Sequence, residues 1–235
     1  MKKIEFICSD IEIDKIVDPP KPSKFFIPEW YKKSSSYVTD DNSPIHYDGK
    51  VNHTFKKCIP ILDSMTSGYM FGLPSDVYAL NPEKYSKIRL SWGGFPIEII
   101  SSKHAPEQLK KYPTTGNFQE LFRWKFWWQI KTPPGYSCLF LHPLHRNDLP
   151  FITMSGIVDT DTYNAPIEFP FFLNNSFEGK INKGTPVVQI IPFKRDSWKS
   201  VSRGFSENVN INIMKNFSII GDMYKKTFWK NKEYN

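Results

Sequence analysis

Cysteine is scarce, with only Cys8, Cys58 and Cys138 in 235 residues. Their odd number and wide separation exclude a disulfide scaffold and a CxxC metal site, and they point to buried thiols in a reducing compartment. No run approaches the roughly 20 apolar residues that a membrane-spanning helix needs. No apolar leader opens the chain, so the expectation is a cytoplasmic protein with no membrane partner. A G-x-S-x-G nucleophile elbow is missing, and so is any internal repeat. Acidic residues are outnumbered 24 to 31, giving a net charge of +7 and a pI near 9.1. That balance favours an anionic partner. No stripe of basic residues interleaved with stacking aromatics marks a groove, which argues against polynucleotide binding.

Aromatic residues make up 16% of the chain, so Phe, Tyr and Trp must supply much of the core. Between Thr132 and Arg195 come short runs rich in β-branched and aromatic residues: Tyr136 to Leu141, Ile152 to Val158, Ile167 to Leu173 and Val187 to Phe193. Each is closed by Pro, Gly, Asn or Asp, the pattern of short strands joined by tight turns. An all-β core is expected there. Residues Lys3 to Val17 alternate weakly and predict an opening strand pair, and the prolines from Asp18 to Pro28 predict an extended arm. Lys87 to Ile100 reads as two strands about a Gly93-Gly94 turn, and Ser102 to Tyr112 has helical spacing.

In Phe118 to Ile130, alternation puts Phe122, Trp124, Phe126 and Trp128 on one strand face, and Arg123, Lys125, Trp127 and Gln129 on the other. Trp127 is thereby a candidate for stacking on a ligand ring. Ile213, Phe217, Ile220, Tyr224 and Phe228 form one stripe of an amphipathic C-terminal helix, with Trp229 as a possible interface anchor. The chain reads as one domain in four parts, 1–52, 53–130, 131–195 and 196–235.

The core stretch resembles the dUTP pyrophosphatase and dCTP deaminase superfamily. The matching segments are Pro133-Pro134-Gly135, Pro143 to Arg146, Gly156 to Asp161 and Gly184 to Gln189. The resemblance implies a mainly β protein, with a β-clip barrel flanked by the arm and the helix. It also implies that Asp159 activates a water, with Asp161 as a second acid and Tyr163 one place beyond the family's sugar-packing tyrosine. Arg146 and Gln189 are what remain of the phosphate-binding motifs, and Glu168 lies near the deaminase proton shuttle. The losses in those motifs argue against ordinary dUTPase activity. Any catalysis would be that of a divergent nucleotide pyrophosphatase or deaminase, with Mg²⁺ arriving on the nucleotide.

His142 and His145 beside Asp159 suggest a metal triad, but the spacing alone does not make one, and no metal site is assigned. The chain also resembles a group of bacteriophage-encoded proteins through Ile27 to Trp30, Lys56 to Tyr69, Lys131 to Ser137 and Gly156 to Asp161. This implies a viral source and no particular activity; the retained Asp159 loop, the basic charge and the lost phosphate motifs together lead to the expectation of a host-cytoplasmic protein that binds a nucleotide or another small anion and either sequesters it or hydrolyses it slowly. The alternative is a structural virion protein, and in either case a homo-oligomer is expected, a trimer by preference.

Overall fold

The computed structural model describes residues 2–40, 43–47, 50–80, 88–102, 112, 118–218 and 224–235. In chain order the elements are β1 (Glu5–Cys8), α1 (Ile11–Ile16), β2 (Lys21–Pro22), α2 (Glu29–Lys33), β3 (Thr39–Asp40), β4 (Ser43–Pro44), β5 (His46–Tyr47) and β6 (Lys50–Val51). There follow α3 (Ile59–Thr66), β7 (Tyr69–Gly72), β8 (Val77–Leu80), β9 (Arg89–Ser91), β10 (Ile100–Ser102), β11 (Phe118–Trp124), β12 (Trp128–Lys131) and β13 (Tyr136–Leu141). The series ends with β14 (Phe151–Thr153), β15 (Gly156–Val158), β16 (Phe169–Asn174), β17 (Gly179–Ile181), β18 (Pro186–Lys194) and α4 (Glu207–Ser218). The chain is mainly β. It divides into two compact units, one of residues 1–26, 66–195 and 234, the other of 27–65, 196–233 and 235.

The first unit holds a five-stranded sheet, β15-β13-β18-β7-β2, and a four-stranded sheet, β10-β11-β16-β14. Rings from the two sheets meet in the core. Phe140 of β13 lies 5.1 Å from Phe169 of β16, and within the four-stranded sheet Trp124 of β11 stacks on Phe171 of β16 at 3.7 Å and 8°. β18 is buried along most of its length because sheet and core cover both of its faces. Among the described residues no sheet closes on itself, which corrects the expected barrel. The five-stranded sheet ends in two short edges, and Pro22 has no N–H with which to extend the β2 edge.

Four local expectations also change. Asp10 caps α1 by accepting from the N–H groups of Glu12 and Ile13, so Ile11–Ile16 is helical and β1 pairs with β12 instead. The predicted arm becomes the β2 edge strand and a 3₁₀ turn at Ser23–Phe26, and α2 follows from Glu29. The Gly93-Gly94 turn forms no hairpin, since β9 pairs with β8 and β10 with β11. Pro96 removes a donor that a returning strand would need. The predicted run from Ile152 to Val158 is split between the sheets. β14 pairs with β16, the chain crosses at Met154-Ser155, and β15 pairs with β13.

Gly68 is required where β7 begins, since at φ +70° an added Cβ would sit 2.1 Å from the carbonyl oxygen of Ile190.

In the second unit Trp30, Tyr31 and Phe55 pack ring against ring, and Tyr31 donates to the carbonyl of Lys56. The Trp229 indole N–H donates to the Asp63 carboxylate at 2.9 Å, and Lys232 reaches the same group at 2.6 Å. Trp229 is thus hydrogen-bonded within its own chain. The C-terminal stripe is also divided. α4 starts at Glu207, earlier than expected, and ends at Ser218, while Tyr224 and Phe228 lie in a separate π-helical turn. Ile220 and nearly all of the helical segment expected from Ser102 to Tyr112 lie outside the described residues.

Candidate active site and ligand cleft

The acidic hairpin is built by the β13 to β15 ladder and the turn that follows it. Thr160 is buried, and its hydroxyl meets that of Thr132 at 2.8 Å. With Thr160 pointing inward, its neighbours Asp159 and Asp161 reach the surface end of β13. The Asp159 carbonyl accepts from the N–H groups of Thr162 and Tyr163, which closes the turn.

The two carboxylates then part company. Asp159 accepts from the buried Ser137 hydroxyl at 2.6 Å, yet its side chain remains 61% exposed. Asp161 is only 6% exposed and accepts from the Gly135 N–H at 2.8 Å. Arg195, at the end of β18, joins them. Its Nη1 lies 2.8 Å from Asp161 Oδ1 and 3.2 Å from Asp159 Oδ1, and its Nη2 engages Asp161 Oδ2. The fork pairs both oxygens of Asp161. Arg195 and the Gly135 N–H hold the Asp161 carboxyl down at about 2, and Asp161 in turn raises the guanidinium. Asp161 is therefore a fixed anion, and Asp159 is the carboxylate of the pair that faces solvent. Arg195 was absent from the sequence reading because it lies outside every quoted motif. A basic residue two positions past the apolar run ending at Phe193 was the available signal.

The other expected residues occupy separate places. Arg146 pairs with Asp148 at 2.8 Å. Buried Gln189 accepts from the Leu144 N–H at 3.0 Å and donates to the Ser67 carbonyl at 2.7 Å, stitching two loops to β18. Tyr163 is exposed. His142 turns one ring nitrogen to the Arg146 carbonyl and accepts from the Thr153 N–H with the other, and burial lowers its pKa. No three His, Cys, Asp or Glu side chains gather to hold a metal among the described residues. The three cysteines are unbridged, and burial pushes the Cys138 thiol up to about 11.

Two of the expected residues do come together. The chain leaves the sheets between β11 and β12, at Lys125 to Trp127, and opens a cleft of about 360 Å³ there. Trp127 and Glu168 both line it, with Lys125, Asp10, Ile13 and Pro166. Glu168 is held by Arg123 at 2.9 Å and by the Ser101 hydroxyl at 3.3 Å. A larger cleft of about 750 Å³ lies by α1 and β7, with apolar walls from Phe25, Phe26 and Leu73. Neither cleft is lined by Asp159 or Asp161.

The fold and site define a mainly β protein with an acid–arginine hairpin and a separate tryptophan-walled cleft. No family model matches the chain, and no curated protein matches it. A solved structure of the EIAV dUTPase in its native form is similar over 60% of this chain and 85% of that one, at 13% identity and a TM-score of 0.31. No helix among the described residues is long and apolar enough to cross a membrane.

Proposed function

We propose that this chain binds a nucleotide or nucleotide-like anion along the loop from Asp159 to Glu168, sequestering it or hydrolysing it slowly. The supporting observation is what the loop presents at its two ends. Asp159 stands exposed beside a guanidinium at one end, and Glu168 shares a cleft with Trp127 at the other. Arg195 is committed to Asp161, so phosphate attraction falls to the neighbouring cations. Lys2 lies 4.1 Å above the Tyr136 ring, beside the same strand. In hydrolysis Asp159 would take a proton from water as the water oxygen bonds to phosphorus and the bridging P–O bond breaks. In this reading any Mg²⁺ arrives on the ligand's phosphates. In this reading the chain acts in a phage-infected cell, as a trimer by preference.

Calorimetric titration with mono-, tri- and cyclic nucleotides tests this reading. Binding by the native chain that falls at least tenfold in Asp159→Ala supports it, and the absence of binding to every nucleotide removes it.

The second reading is a structural assembly protein. It is favoured by the irregular segment after Arg195, where Trp198, Val201 and Phe205 are 91%, 71% and 87% exposed. Large apolar side chains left in water at this density are characteristic of surfaces that another molecule covers. Abundant copies of the chain in purified virions would favour this role.

A further inference from the structure

We infer that the Trp127 cleft is a subsite for a guanine-type purine ring, an assignment that rests on the nucleotide-binding reading above and names the base. The cleft is about 360 Å³, at the small end of ligand sites and roomier than a single six-membered ring requires. Trp127 is half-buried, with its ring edge-on to Phe71 at 6.3 Å, so its position is set by the core. An indole fixed in this way offers a bicyclic face on which a bicyclic base can stack. Ile13 and Pro166 supply further apolar wall.

The polar lining selects among the bases. Lys125 is a donor, whereas Glu168 and Asp10 are acceptors. Each is already oriented by a partner. Lys125 is 2.5 Å from Glu98, Glu168 is bound by Arg123, and Asp10 Oδ1 caps α1. An ammonium retains further donors after one ion pair, and a carboxylate retains further lone pairs after one or two hydrogen bonds. One donor and two acceptors complement a ring edge with one carbonyl acceptor, one ring N–H and one exocyclic amine. Guanine has that edge. Uracil lacks the amine, and adenine lacks the carbonyl.

The test titrates the full chain with the uncharged nucleosides guanosine, inosine and uridine, observed by saturation-transfer NMR and calorimetry. Guanosine is expected to bind, and inosine, which lacks only the 2-amino group, to bind at least tenfold more weakly. Uridine should not bind measurably. Trp127→Ala should weaken guanosine at least tenfold, Trp127→Phe should weaken it less, and Glu168→Gln should narrow the guanosine-to-inosine ratio. Circular dichroism confirms that each variant is folded. Equal binding of guanosine and inosine, no effect of Trp127→Ala in a folded variant, or no nucleoside binding overturns the assignment. If nucleosides fail while nucleotides bind in an Asp159-dependent way, the base assignment falls and the broader reading stands. If guanosine binds through Trp127 and Asp159→Ala changes no nucleotide affinity, the role of the hairpin falls instead.

Discussion

Arg195 closes the end of β18 onto Asp161, with Nη1 2.8 Å from Oδ1 and Nη2 engaging Oδ2. The same guanidinium donates to the Tyr136 carbonyl at 3.2 Å and the Ser137 hydroxyl at 3.0 Å. It therefore fixes the start of β13, the end of β18 and the acidic turn to one another. Asp159 owes its orientation to this arrangement, through Ser137 and Arg195 together.

This pairing sets an acid limit. The Asp161 carboxyl is held at about 2 against an ordinary 3.8, so its folded pKa is the lower of the two. Its contribution to stability is complete above about pH 4 and is lost as pH falls toward 2. Arg195→Gln should raise the Asp161 pKa toward its ordinary value and move the acid-unfolding midpoint to higher pH. Carboxyl NMR titration checks the first, and circular dichroism against pH checks the second.

Gln189 is wholly buried and spans two loops. Gln189→Leu leaves the Leu144 N–H without this partner, at about 1–3 kcal/mol if the group stays buried, while the Ser67 carbonyl keeps the Ser23 hydroxyl at 2.8 Å. Urea denaturation should show a lower midpoint at an unchanged slope, without local loss of the Asp159 hairpin.

The stacked pair Trp124 and Phe171 lies at the centre of the four-stranded sheet. Phe171→Ala removes a buried ring and leaves a cavity, with an expected cost of about 3–5 kcal/mol in denaturant unfolding.

If the segment after Arg195 is covered in an assembly, Trp198→Ser with Phe205→Ser should shift sedimentation toward smaller species and leave the melting temperature of the chain nearly unchanged. An identical sedimentation profile would remove the second reading.

Much of the β core was legible in the sequence. Tyr136–Leu141 forms a strand over its expected span, and Val187 to Phe193 falls within β18, because each apolar run was bounded by turn residues. The burial of Trp124, Phe126 and Trp128 follows the alternation, even though the chain leaves the sheets between them. Sheet membership was not legible. The run from Ile152 to Val158 looks continuous in one dimension, and only the pairing of Phe151–Thr153 with β16 shows that it changes sheets. α1 was missed because a single Asp10 cap outweighed a weak alternation. In the site, Asp159 and Asp161 were visible as residues but not as unequal ones. Their difference depends on Arg195, some 35 residues away, and register across the β13–β18 ladder is not encoded in any local pattern.

Mapping amide chemical-shift changes on addition of a guanine nucleotide tests the central claim most directly. The account predicts shifts concentrated from Asp159 to Glu168 and at Lys125 to Trp127, saturating with nucleotide and reduced in Asp159→Ala. Shifts confined to other surfaces, or none at millimolar nucleotide, would contradict it.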